Sequence, residues 1–203
     1  MTIIGICGFQ SSGKDTIAEI LINKYGFVKL SFACIIKDIV ALLFDWPRDR
    51  LEGLTKEDRQ WREQVDEWWS SSLKMPNLTP RYVLQYFGTE LFRKHWHQDF
   101  WVKVVERQLT KYENIVITDC RFENEINLII EYGGKIIQVQ RNLPNWFEIY
   151  KNGIDVEEAK KLHPSETNWI RCRNDYIIDN NGTIGELNIQ VEKLIKYISE
   201  KTT

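Results

Sequence analysis

Apolar positions along this chain follow two alternating rhythms. Five short runs are almost continuously apolar or β-branched: Thr2–Cys7, Val28–Phe32, Asn114–Thr118, Lys135–Gln140 and Tyr176–Asp179. Ile115-Val116-Ile117 and Ile136-Ile137-Gln138-Val139 have the density expected of parallel strands covered on both faces. Between the runs lie stretches with helical spacing at Lys14–Tyr25, Ala33–Phe44, Pro80–Trp96, Phe100–Lys111, Glu123–Tyr132 and Ile184–Glu200. This alternation predicts an α/β three-layer sandwich, a five-stranded parallel sheet with helices on both faces.

Two segments interrupt the alternation. Asp45 to Asn77 carries Trp46, Trp61, Trp68 and Trp69 among many charges and reads as a helical insertion with an aromatic seam. Such rings either pack the insertion onto the body or stack on a ligand. Asn142 to Arg173 is a long polar excursion, the kind that usually serves as an active-site lid. Neither segment looks like a linker. The chain therefore reads as a single domain over 1–203, with a helical insertion at about 45–110 and a lid at about 142–173.

Composition narrows the setting. With 203 residues, 43% of them hydrophobic, the chain can bury one sizeable core. A net charge of −2 gives no electrostatic case for a nucleic-acid or membrane partner. Cys7, Cys34, Cys120 and Cys172 are scattered without a C-x-x-C pair, as expected of reduced thiols. No apolar run approaches the length of a membrane span and no basic leader precedes the first strand, so a cytoplasmic protein is expected. His95 and His97 point apart on a helix and His163 has no partner at ligand spacing, which argues against zinc.

The chemistry concentrates after the first run. Gly8-Phe9-Gln10-Ser11-Ser12-Gly13-Lys14 is a G-x-x-x-x-G-K loop between a predicted strand and a predicted helix, the order of a phosphate-binding P-loop. Gly8 and Gly13 permit turns that aim backbone N–H groups inward, the helix start adds its positive dipole end, and Lys14 supplies a mobile cation. Asp15 stands where Ser or Thr usually ligates Mg²⁺, so either Asp15 or Thr16 is the expected metal ligand. The expected cofactors are ATP and Mg²⁺.

Asp119 follows the third apolar run, at the carboxyl end of a parallel strand, where α/β sheets bind ligands. It either holds the metal through water or orients the acceptor, or else caps the next helix. Cys120 occupies the position where motor ATPases carry a water-activating glutamate, which favours phosphoryl transfer over hydrolysis. In the helix opened by Thr79-Pro80, residues Arg81, Gln85 and Gly88 fall at i, i+4 and i+7. Such a stripe suits a phosphate, a base edge and a close-approaching ring. A mid-helix glycine usually has a packing or functional reason.

These blocks together resemble the deoxynucleoside monophosphate kinases of large phages and viruses. The resemblance rests on Gly8 to Thr16, Leu78 to Glu90, Asp99-Phe100-Trp101-Val102, Thr118 to Glu125, His163-Pro164-Ser165-Glu166 and Asn180-Asn181-Gly182-Thr183, in family order. Arg59, Arg62-Glu63 and Asp66-Glu67-Trp68-Trp69 resemble the insertion of phage-type members. The resemblance implies transfer of the ATP γ-phosphate to a deoxynucleoside monophosphate (dNMP). By that analogy Gly8, Gln10, Ser11, Ser12, Gly13 and Lys14 hold the ATP phosphates and Asp15 or Thr16 bears the metal, for which Asp119 is the further candidate from its place at the strand end. Asn180, Gly182 and Thr183 border the adenine. Lys37 and Arg81 face the acceptor phosphate, Gln85 reads the base, Gly88 and Trp69 complete the acceptor site, and Arg121 and Arg141 clamp the transferring phosphates. Arg171 or Arg173 could join them from the lid. The implied partners are small molecules, with a homodimer left open, in a host's cytoplasm if the protein is viral. Two alternatives stand: a kinase of a phosphomevalonate-like or dephospho-coenzyme A-like acceptor, and an ATP-switched binding module.

Overall fold

The computed structural model describes residues 1–201. Its strands are β1 (Thr2–Cys7), β2 (Val28–Leu30), β3 (Asn114–Ile117), β4 (Lys135–Gln140) and β5 (Tyr176–Asp179). The helices begin with α1 (Lys14–Tyr25), α2 (Cys34–Phe44), α3 (Lys56–Glu63), α4 (Glu67–Ser72), α5 (Pro80–Gln85) and α6 (Phe100–Leu109). They continue with α7 (Glu123–Glu131), α8 (Phe147–Lys151), α9 (Glu157–Lys160), α10 (Pro164–Thr167) and α11 (Ile184–Lys201). The chain divides into two compact units, one of Met1–Phe32 with the chain from Val104 onward, the other of Ala33–Lys103.

The first unit is built on the sheet. All five strands pair in parallel in the order β2-β3-β1-β4-β5, with Ile4 opposite Val116 on one side and Lys135 on the other. One face carries Ile4, Ile6, Val116, Ile137, Val139 and Ile178, packed on Ile17 and Leu21 of α1 and on Leu187, Val191 and Leu194 of α11. Each such side chain, fully buried, contributes about 1.5–3 kcal/mol, which is why the apolar runs become strands inside the sheet. Alternation turns Ile3 and Gly5 to the other face. There a Cβ on Gly5 would lie 2.5 Å from Ile129 Cδ1, so α7 rides close against β1. The expected α/β three-layer architecture is present.

The 142–173 segment folds onto this same unit as α8, α9, α10 and a 3₁₀ turn at Asn168–Arg171. Phe147, Ala159, Trp169 and Ile170 are buried. The Phe9 ring lies edge-on to Trp146, Phe147 and Trp169 at 5.9, 5.9 and 5.2 Å. Apolar burial, invisible in the average polarity of the segment, gives it defined structure.

In the second unit the starts of α3, α4 and α5 are set by side-chain caps. Thr55 and Asp58 form a reciprocal capping box for α3, Asp66 accepts from Trp69 N, and Thr79 accepts from Tyr82 N ahead of Pro80. Phe44 stacks on Trp46 at 4.6 Å and tilts on Trp69 at 4.9 Å, while Trp46 meets Trp61 edge-on. The indoles spend their donors inside the unit: Trp46 Nε1 donates to Asp66 and Trp69 Nε1 to the Phe44 carbonyl. These contacts tie Trp46, Trp61 and Trp69 into the packing of the unit.

One expectation differs from what forms. The helix read over Pro80–Trp96 is α-helical only to Gln85, and Tyr86–Lys94 continues as a π-helix. A π turn holds more residues, so the α-helical spacing that aligns Gly88 with Arg81 and Gln85 does not carry through. Gly88 has its own packing: a Cβ there would sit 3.3 Å from Ile36 Cδ1, and its carbonyl accepts from Trp101 Nε1 at 3.1 Å.

Candidate active site

The loop that follows β1 is shaped by two glycines. Gly8 has φ 154°, and a Cβ there would come within 2.7 Å of the Val139 carbonyl. Gly13 has φ 99°, and a Cβ would run into the Asn180 amide. Asn180 Nδ2 instead donates to the Ser12 carbonyl at 2.8 Å, tying the end of β5 to the loop. Ser12 is buried, whereas Gln10 and Ser11 lie exposed. Gly13 offers no side-chain cap to α1, so the loop ends against open helix amides, an anion-binding arrangement.

Lys14 Nζ donates to the carbonyls of Gly8 and Phe9 at 2.8 and 2.6 Å and reaches Ser12 Oγ at 3.4 Å. Burial, reinforced by the Arg121 charge, brings its pKa down to about 8. A desolvated cation held by neutral carbonyl and hydroxyl oxygens gains strongly from a phosphate. Asp15 lies at the start of α1, and its Oδ1 accepts from Lys29 Nζ at 2.7 Å and from Thr118 Oγ1 at 3.2 Å. Partial burial raises its pKa, but the Lys29 ammonium outweighs that and holds the carboxyl below its ordinary value. The Thr16 hydroxyl makes no hydrogen bond among the described residues. No three His, Cys, Asp or Glu side chains cluster as a metal site among the described residues. The hard-oxygen donors of Asp15 and Thr16 fit Mg²⁺ that takes most of its ligands from a nucleotide and water.

At the end of β3, Asp119 accepts from Ser31 Oγ at 2.7 Å and from Phe32 N at 3.2 Å. It fastens the end of β2 ahead of α7, whose N-cap position is Phe122. That helix start belongs to the buried Glu125, which accepts from Arg121 N and Phe122 N at 2.7 and 3.1 Å. Glu125 thereby fixes the backbone that carries Arg121, whose guanidinium reaches Glu166 at 3.1 Å and Ser165 at 3.4 Å. Cys120 is buried, and desolvation raises its pKa well above the ordinary thiol value, so it cannot serve as a base.

Arg141 lines an open cleft of about 420 Å³ with Phe9, Gln10, Ser11, Asn142 and Pro144. Thr183 and Glu186 cap α11 reciprocally, Thr183 N donating to the carboxylate at 2.6 Å, and Gly182 leaves room for that carboxylate. Arg171 pairs with Asp155 and lies over the Tyr150 ring, and Arg173 pairs with Asp175.

Within the helical unit, Lys37 pairs with Glu52, which also binds Arg48. Arg81 pairs with Glu63 at 3.3 Å. Gln85 is half-buried, and its amide makes no hydrogen bond among the described residues. Trp69 is held by the seam described above. The sequence assigned no role of their own to Lys29, Glu125, Glu166 or the ring of Phe9. Of these only Glu125 carried a signal, a glutamate three residues into a helix start.

A glycine-bounded loop and lysine between the first strand of a β2-β3-β1-β4-β5 parallel sheet and its helix define a P-loop protein. The chain belongs to the deoxynucleotide monophosphate kinase family, whose sequence profile matches residues 52–191. It is 29% identical to a protein of Acanthamoeba polyphaga mimivirus provisionally named a deoxynucleotide monophosphate kinase, over 98% of this chain and 99% of that one. It is 20% identical to the deoxynucleotide monophosphate kinase of Enterobacteria phage T4, over 98% of this chain and all of the relative. Among solved structures, a shikimate kinase from Aquifex aeolicus is 17% identical with a TM-score of 0.49, covering 98% of each chain. Among the described residues, no helix is long and apolar enough to cross a membrane.

Proposed function

We propose that this protein transfers the γ-phosphate of ATP to a deoxynucleoside monophosphate, forming the diphosphate and ADP. An oxygen of the acceptor phosphate attacks the γ-phosphorus, and the bond from that phosphorus to the β–γ bridging oxygen breaks. The acceptor oxygen is already ionised near neutral pH, so no general base is needed, in keeping with the buried, protonated Cys120. The family match over 52–191, a span that contains Arg81 and Gln85, is the observation that carries this reading.

The loop Gly8–Thr16 holds the ATP phosphates, with Lys14 leaving the Gly8 and Phe9 carbonyls for the phosphate oxygens. Arg121 and Arg141 add positive charge, which matters because phosphoryl transfer depends on positioning and charge neutralisation. Asp15 or Thr16 would hold Mg²⁺, which when bound would screen the phosphate charge. Asp119 keeps the ends of β2 and β3 in place. Arg81 and Lys37 take the acceptor phosphate and the unspent amide of Gln85 reads the base. Asn180 to Thr183 border the adenine, and 142–173 shields the reaction from water.

A coupled assay for ADP release across the four common dNMPs and their ribo-counterparts tests the proposal. Product from at least one dNMP is expected. Intact ATP binding with no phosphorylated product from any of them would overturn it.

A further inference from the structure

Asp15 creates a charge problem that a hydroxyl at its position would avoid. A carboxylate directly after Lys14 faces any phosphate that the loop holds, and like charges at that range repel. The structure answers with Lys29, which neither the motif nor the resemblance includes. Lys29 projects from β2, where its neighbour Leu30 is buried, and its Nζ sits 2.7 Å from Asp15 Oδ1. Thr118 at the end of β3 donates to the same oxygen at 3.2 Å, while Oδ2 receives no hydrogen bond among the described residues. The carboxylate is thus oriented by one oxygen, and its charge is matched by a cation carried on a neighbouring strand.

We infer that Lys29 is a tethered cation standing at Asp15: it cancels the carboxylate's charge toward nucleotide phosphates and opposes the divalent metal that binds there. The inference rests on the proposed kinase reading. Lys29 acts through Asp15, which makes it a positioning residue rather than a catalytic one. Its removal has opposite consequences for two ligands. An anion loses an attractive charge and gains an uncompensated repulsive one, whereas a cation gains a freed carboxylate. Both side chains are partly exposed, at 37% and 55%, so screening limits each shift to about two- to five-fold.

The test compares Lys29→Met with Lys29→Arg and with Lys24→Met. Lys24→Met makes the same charge change at the far end of α1, where Lys24 pairs with Glu192. ATP affinity is measured by calorimetry in EDTA. Mn²⁺ affinity for the protein–ATP complex is measured from the free-Mn²⁺ electron paramagnetic resonance signal, with no dNMP present so that nothing turns over. Lys29→Met should weaken metal-free ATP binding and tighten Mn²⁺ binding, each about two- to five-fold. Lys29→Arg should stay near wild type and Lys24→Met should move neither. Both affinities weakening together would mean that Lys29 only shapes the site, and no change in either would mean that the ion pair is idle; each result overturns the inference. Wild-type protein that binds neither ATP nor Mn²⁺ with ATP would overturn the kinase reading as well.

Discussion

The loop Gly8–Thr16 is proposed to hold the ATP phosphates and the helical unit Ala33–Lys103 the acceptor phosphate, and they are made of different materials. The loop relies on backbone geometry: two glycines at positive φ, a lysine resting on carbonyl oxygens and a helix start with open amides. The helical unit relies on side chains, and its two candidate cations are already engaged, Lys37 with Glu52 and Arg81 with Glu63. A phosphate entering the loop displaces weak carbonyl contacts. In the helical unit it must exchange for a carboxylate. The loop should therefore contribute more to rate, and the helical unit more to selectivity for the acceptor.

The largest test of this contrast is Lys14→Ala. Losing a preorganised cation from the transferring phosphate should lower kcat by about 10²-fold or more, with the circular dichroism spectrum unchanged. Near-normal turnover would remove the loop from the chemistry. Arg81→Ala should raise the dNMP KM by about 10- to 100-fold, equally for every base, and leave the ATP KM nearly unchanged. Gln85→Ala should instead alter the ranking of the bases, because an amide meets a different edge on each. Steady-state kinetics over the dNMP panel reads both variants, and equal effects on ATP and dNMP would dissolve the contrast.

The Lys14 pKa of about 8 supplies a test without mutation. A bound phosphate favours the protonated amine, so binding raises that pKa and takes up a proton above pH 8. ATP affinity should be flat below pH 8 and fall as pH rises through it, by up to tenfold per unit. Calorimetry from pH 7 to 9.5 in buffers of differing ionisation heat measures both the affinity and the proton uptake. An affinity independent of pH over that range would mean the ammonium does not meet the nucleotide. The smallest effect concerns Trp69→Phe, which removes the indole donation to Phe44 O. It should cost about 1 kcal/mol in thermal or urea unfolding and leave the dNMP KM unchanged. A raised KM at unchanged stability would make Trp69 a substrate contact instead of a member of the seam.

The same contrast explains what could be read in advance. Strand runs, the first and last helices and the phosphate loop are local signals, because continuous apolar density and a glycine-bounded turn need no distant partner. The helix from Pro80 was legible at its capped start. It was not legible at Tyr86, where Trp101 donates to the Gly88 carbonyl and the turn widens to π. The 142–173 segment read as polar because its few buried rings, Phe147 and Trp169, are spaced too irregularly to show a period.

By itself the sequence determined a parallel α/β sheet with a phosphate loop at the end of its first strand. Those features follow from burial periodicity and from which residues tolerate positive φ. Only the tertiary structure decided how the charges are paired. Lys29 meets Asp15, Arg121 meets Glu166, and Ser31 meets Asp119 across gaps in the chain that no spacing rule spans. Partners of that kind are chosen by strand order and by helix packing, and both are settled only when the apolar faces close on each other.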